Sequence, residues 1–124
     1  MVHSAIIGRF YSFEAGHWLP KVPETHKCSR KHGHNYEFEV VLAGPIDSVG
    51  FVIDFWDLDK IVDPLIQIVD HRMLNDIEGL ENPTAEYIAH WFLSKIAPSF
   101  AGWKISVKVF ETKKCWALAR NYQE

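Results

Sequence analysis

The chain has 124 residues, a formal net charge of −3, and 48% hydrophobic and 14% aromatic residues. This length favours one domain, 1–124, and this composition supports a packed core and excludes a disordered chain. The mildly acidic balance argues against broad nucleic-acid or membrane-surface binding, so an anionic partner has to meet a local basic cluster.

No basic stretch followed by a long apolar run opens the sequence, so no signal peptide is expected. No apolar stretch approaches the ~20 residues of a membrane span. The two cysteines, Cys28 and Cys115, are too few for the disulfide framework of a small secreted domain and suit a reducing compartment. The expected location is cytoplasmic.

The first element is a strand, Ala5 to Ala15. Ile7, Tyr11, Phe13 and Ala15 share a face, and His17 continues their phase. From His34 to Ala43 the alternation is clear: Tyr36, Phe38, Val40 and Leu42 lie on one side, Asn35, Glu37 and Glu39 on the other. Asp54 then caps a helical pattern of Phe55, Leu58, Ile61, Val62, Leu65 and Val69 that ends near Asp70-His71. Pro64 should kink or split this helix. A second helix starts with Asn82 as cap and Pro83 as first helical residue. It buries Ala85, Ile88, Ala89, Phe92 and Ile96 and stops at Pro98. Trp103 to Thr112 alternates again, Lys113-Lys114 turn the chain, and Trp116 to Tyr122 form the last strand. The order ββααββ needs no parallel crossover. The expected class is α+β, a four-stranded antiparallel sheet with two helices on one face.

The segment "HKCSRKHGH", His26 to His34, carries the densest chemistry. In a strand, His32 and His34 point the same way, ~6.5–7 Å apart along the chain, and Gly33 leaves room between them. A hairpin would bring His17, at the end of the first strand, beside both. Three neutral imidazoles without a carboxylate suit zinc with an open fourth position. Cys28 reads as a fourth zinc ligand, a catalytic thiolate or an ordinary loop cysteine; Lys27, Arg30 and Lys31 favour the thiolate. Asp70-His71 closes a helix, where a cationic histidine is favoured without any catalytic role. Neighbouring residues project in different directions, so direct contact between the two is not expected. Glu111 continues the apolar face of Trp103, Ile105, Val107 and Val109. It is either a solvated strand end or a buried carboxylate with a donor, such as an amino-pyrimidinone edge offering two parallel hydrogen bonds.

Together "FEAGH" (Phe13–His17), "C-x-x-x-H-G-H" (Cys28–His34), "VDHRMLND" (Val69–Asp76), "ENPTAE" (Glu81–Glu86) and "FET" (Phe110–Thr112) resemble the 6-pyruvoyltetrahydropterin synthase superfamily over nearly the whole chain. Among its branches, "LND…GLENPT" most resembles bacterial 6-carboxytetrahydropterin synthase of the queuosine pathway. The resemblance implies a tunnelling fold, with trimers closing a barrel and two trimers stacking into a hexamer. It implies zinc (Zn2+) on His17, His32 and His34, Cys28 as proton acceptor, Asp70 and His71 as its relay, and Glu111 as pterin anchor. Thr84 and Glu86 fall at further substrate contacts. Another branch carries glutamate in place of the cysteine and serves folate synthesis; Cys28 speaks against it. Gly16 stands where alanine is more frequent, a small-for-small change that puts nothing in doubt.

The implied substrate is 7,8-dihydroneopterin triphosphate, and the implied products are 6-carboxytetrahydropterin, acetaldehyde and triphosphate. Charge suggests that Lys27, Arg30 and Lys31 steer the triphosphate. One rival is the same scaffold stopping at the 6-pyruvoyl pterin. A rival of another class is a zinc-stabilised interaction module with Cys28 as fourth ligand.

Overall fold

Alternating apolar and polar side chains carry two strands of 14 residues, β1 (Ser4–His17) and β2 (His32–Pro45). In this computed structural model, which describes residues 3–123, they pair antiparallel from Ser4↔Pro45 to His17↔His32. Both run past their predicted limits, because each end finds a ladder partner in the other strand. Helix α1 (Phe55–Val69), strand β3 (Arg72–Met73), helix α2 (Ala85–Ile96), and strands β4 (Lys104–Thr112) and β5 (Cys115–Arg120) follow. The sheet order is β3-β1-β2-β4-β5.

The four antiparallel strands are the expected ones. β3 adds a fifth, parallel to β1 through Ala15↔Arg72 and Gly16↔Met73. Two residues have no period to read, so it left no sequence signal. β5 ends at Arg120 rather than Tyr122. Asn121 turns its side chain back onto the Ile105 N–H and the Trp103 carbonyl instead.

One sheet face holds the core. Phe13, Tyr36, Phe38, Val40, Leu42, Ile105, Val107 and Val109 are all buried there. Both helices cover this face. Phe92 of α2 stacks on Phe38 with ring centroids 4.2 Å apart. α1 is tied to β1 through Asp59, which accepts from the Tyr11 hydroxyl at 2.7 Å and pairs with Arg9 at 3.0 Å. Among the described residues, the opposite face has no helix on it and leaves Ile6, Phe10, Trp116 and Leu118 exposed. Among the described residues, β5 and β1 from Ser4 to Glu14 also have an outer edge without a strand partner.

α1 starts as the sequence predicts, with Asp54 accepting from the Trp56 N–H at 2.9 Å. Pro64 does not split it; the helix is continuous from Phe55 to Val69. Pro64 and Lys60, whose carbonyl loses its helical donor, are both exposed, so water can serve that carbonyl. α2 starts later than predicted. Its cap is Thr84, which accepts from the Tyr87 N–H at 3.2 Å, not Asn82. Pro83 lies outside the helix, with its carbonyl turned to His17. Pro98 falls in a 3-10 turn, Ala97–Phe100, just past the end of α2.

The exposed proline gives a test of this account. Pro64→Ala restores the missing N–H and relieves the ring, and the entropy gained by the unfolded chain offsets only part of that. A stability gain of ~1–2 kcal/mol is expected in urea denaturation; a loss would mean that Pro64 shapes α1.

Candidate active site

The β1–β2 register sets His17 directly opposite His32, and the two-residue period puts His34 on the same face. One ligand atom from each of the three lies within 4.8 Å of the others. Two backbone carbonyls orient the rings. His17 Nδ1 lies 2.8 Å from the Pro83 oxygen, and His32 Nδ1 lies 2.6 Å from the Arg30 oxygen. A carbonyl only accepts, so each Nδ1 carries the proton and each neutral ring presents a bare Nε2. Those two Nε2 atoms are 3.0 Å apart.

Facing lone pairs at that distance repel unless a cation lies between them. Tetrahedral zinc, with bonds of 2.0–2.1 Å, sets neighbouring nitrogens ~3.3 Å apart. His34 Nε2 is buried without a hydrogen-bond partner. His17, His32 and His34 therefore fit a divalent metal. Burial also pushes the His17 and His34 values down, against the pull of Glu111, which keeps both rings neutral and ready to coordinate.

Glu111 stands beside this cluster. Its carboxylate lies 3.6 Å from His34 Nε2 and 3.9 Å from His17 Nε2, with the side chain 27% exposed. It is thus not a freely solvated strand end. The β4–β5 register slips between Phe110 and Thr112, which leaves Glu111 as the extra residue of a bulge. Bulges re-aim side chains in this way. A cleft of ≈ 640 Å³ opens at the same end of the sheet, lined by Phe10, His34, Glu37, Phe110, Glu111 and Thr112.

Cys28 sits in a single 3-10 turn, Lys27–Ser29, half-buried. Its carbonyl accepts from the Leu19 N–H at 2.7 Å, which ties the turn to the end of β1. His26 caps the turn by accepting the Cys28 N–H at 3.0 Å. Cys28 is not part of the metal-suited group. Lys27, Arg30 and Lys31 are exposed and, among the described residues, make no ion pair.

Asp70 and His71 do touch, contrary to the sequence expectation: His71 Nδ1 lies 3.0 Å from Asp70 Oδ2. His71 has φ 57, a left-handed conformation uncommon for residues with a side chain. It turns the ring back onto its neighbour. Asp70 also accepts the Glu14 N–H at 2.9 Å, and Glu14 Oε2 lies 3.4 Å from His71 Nε2. The pair therefore belongs with Glu14, whose strand phase is opposite to that of the three imidazoles, although His71 and His34 both line one open cavity beside Gly16 and Gly33, and no hydrogen bond joins the pair to Cys28 within the chain. Asp70 first, and Glu14 to a lesser degree, raise the His71 value.

Thr84 and Glu86 lie at the start of α2, where the Thr84 oxygen caps the helix and Glu86 is exposed in the first turn. Sequence reasoning missed His26, Pro83, Asn75 and Tyr36. Asn75 clamps Trp18, donating to its carbonyl at 2.8 Å and accepting its N–H at 3.1 Å. No pattern announces such contacts. Tyr36 alone had a signal, its phase with His34.

A family model described as 6-pyruvoyl tetrahydropterin synthase matches residues 6–122. A Synechocystis protein named 6-carboxy-5,6,7,8-tetrahydropterin synthase is 39% identical over 123 residues, covering 94% of this chain and 92% of its own. A Pyrococcus furiosus protein named dihydroneopterin monophosphate aldolase is 41% identical over 91 residues, covering 73% and 74%. The solved structure of Caenorhabditis elegans 6-pyruvoyl tetrahydropterin synthase superposes with a TM-score of 0.84 at 29% identity, covering 97% of each chain. The chain belongs to the 6-pyruvoyl tetrahydropterin synthase family.

The two histidine environments should titrate in opposite senses. The folded chain binds fewer protons at His17 and His34 than the unfolded chain does. Their contribution to stability is present above pH ~6.5 and lost as pH falls below it. His71 holds its proton more tightly when folded, so its contribution is present below pH ~6.5 and lost as pH rises. Asp70→Asn is expected to lower the His71 pKa, read from imidazole NMR shifts. Above the carboxylate range it should leave the loss that begins below pH ~6.5 in thermal melts of metal-free protein unchanged; at lower pH the variant also lacks the contribution of Asp70, whose own value is held down. An unmoved His71 pKa would remove Asp70 as its partner.

Proposed function

We propose that this pterin-processing family member is a zinc-dependent lyase. In this reading it converts 7,8-dihydroneopterin triphosphate and one water to 6-carboxy-5,6,7,8-tetrahydropterin, acetaldehyde and triphosphate, as a cytoplasmic enzyme of queuosine biosynthesis. The observation that carries it is the convergence of three imidazoles, one with a buried and unpaired Nε2, beside Glu111 and an aromatic-lined cleft. The name of the Synechocystis relative supports the product.

His17, His32 and His34 would hold zinc, which when bound supplies a Lewis acid for side-chain oxygens. Glu111 accepts two parallel hydrogen bonds from the amino-pyrimidinone edge of the pterin. Phe10 and Phe110, with centroids 6.3 Å apart, give the cleft apolar walls for a flat ring. Cys28 as thiolate takes a carbon-bound proton, and triphosphate departs with the electron pair of its C–O bond. Lys27, Arg30 and Lys31 meet the departing charge. Thr84 and Glu86 complete the substrate contacts; the Thr84 oxygen accepts from Tyr87, and its O–H remains free to donate.

The relay role of Asp70 and His71 requires another copy of the chain, since nothing joins them to Cys28 within one. The open edges of β1 and β5 and the exposed Ile6, Phe10, Trp116 and Leu118 support association. A homohexamer built of closed barrels is the assembly proposed. The absence of Cys28 from the metal-suited group speaks against an interaction module with a fourth cysteine ligand. A second reading, aldol cleavage of a dihydroneopterin monophosphate, draws on the name of the Pyrococcus relative.

Product analysis with dihydroneopterin triphosphate separates these readings. Acetaldehyde is expected. A retained three-carbon side chain would point to the 6-pyruvoyl product, and turnover of the monophosphate alone to the aldolase. Cys28→Ala should keep its zinc and lose ~10²-fold or more in turnover; joint loss of zinc and thermal stability would make Cys28 a ligand.

Glu111→Ala is expected to weaken binding of a pterin analogue by ~1.5–3 kcal/mol in titration calorimetry, with zinc content near wild type. Unchanged affinity would remove Glu111 as the anchor.

A further inference from the structure

Among the described residues, two buried side-chain polar atoms have no hydrogen-bond partner: His34 Nε2 and the Tyr36 hydroxyl. They sit two residues apart on one face of β2. A metal accounts for the first. It does not account for the second.

Tyr36 has 0% exposure. Its ring stacks on Phe13, with centroids 5.0 Å apart, and makes T-shaped contacts with the His17 and His34 rings at centroid distances of 5.8 and 5.4 Å. Packing thus fixes its aim. The β2–β4 ladder ends at Glu37↔Phe110, so Tyr36 and Glu111 lie just past its end, each in the phase of the site face. A phenol O–H is a donor, so what it lacks is an acceptor.

A residue kept only for packing has no use for this oxygen. Phenylalanine fills the same space without burying an unpaired polar group, and native proteins rarely leave such groups unpaired. The oxygen implies an acceptor.

We infer that the Tyr36 hydroxyl is the hydrogen-bond donor for an oxygen acceptor that enters the site together with the metal ion. In the resting protein that acceptor is water. During turnover a hydroxyl or carbonyl oxygen of the substrate side chain takes its place. Tyr36 is in this sense a positioning residue, which fixes where the oxygen sits between the imidazoles and Glu111. The inference rests on the metal reading of His17, His32 and His34.

The test compares wild type, Tyr36→Phe and His32→Ala, stripped of metal and then titrated with Zn2+ alone. Zinc affinity is read by competition with a chromophoric chelator, and thermal unfolding is followed with and without the ion. Metal-free Tyr36→Phe is expected to melt no lower than wild type, since it loses an unpaired group. Its zinc dissociation constant should rise about tenfold, in the range seen when outer partners of a metal site are lost, and zinc should raise its Tm by less. The affinity ratio decides. A value within twofold of wild type overturns the inference whatever the melting temperatures, because the hydroxyl then has no partner that arrives with the ion. A wild type that binds no zinc, or a His32→Ala variant that binds it equally well, overturns the metal reading beneath it. That outcome is distinct from a bound ion indifferent to Tyr36.

Discussion

The pairing of His17 with His32 is the constraint on which the rest of the molecule depends. Side chains in a strand alternate, so a slip of one residue between β1 and β2 would break more than the imidazole cluster. His17 would lose its place opposite His32. Phe13 and Tyr36, stacked across the same ladder, would part as well. The apolar core and the imidazole cluster are two ends of one face, set by one register. The burial energy of Phe38, Val40 and Leu42 therefore also holds the ligand geometry, and the site needs no separate scaffold.

The sheet keeps two kinds of histidine apart. On the helix-covered face, burial favours neutral rings at His17 and His34. On the open face, Asp70 and Glu14 favour a charged His71. Metal coordination and proton handling need these opposite states at the same pH. Their separation across one layer of backbone lets a single chain hold both states. The left-handed backbone at His71 costs on the order of 1 kcal/mol or more. It is offset locally by the bonds Asp70 makes to Glu14 and His71.

Most of the frame was legible because it is periodic. The phases of β1, β2 and β4 put His17, His32, His34 and Glu111 on one face from sequence alone. What escaped had a tertiary or non-repeating cause. β3 is too short for a pattern. The start of α2 was misplaced because Asn82-Pro83 is a good local cap signal, while the Pro83 carbonyl serves His17 across 66 positions of sequence. Contact between Asp70 and His71 depends on one backbone angle that residue type does not announce. Glu111 was placed on the right face, but the bulge that aims it is a property of the β4–β5 ladder. The orphaned hydroxyl of Tyr36 could emerge only from burial, since tyrosine in a strand is ordinary.

The hydrogen bond from His17 to the Pro83 carbonyl has a mechanical side. One imidazole grips the hairpin end, the start of α2 and any ion at the site. Such an ion acts as a rivet through the seam between the sheet and the helical layer. Ligands that bind only the folded form deepen the well of the elements they touch. Local opening is graded through a protein, from frayed ends to the core. Removing the ion would thus register first as faster amide exchange from Thr84 to Ile88 at the head of α2. The far end of the hairpin, where Ser4 meets Pro45, lies outside the reach of that fastening.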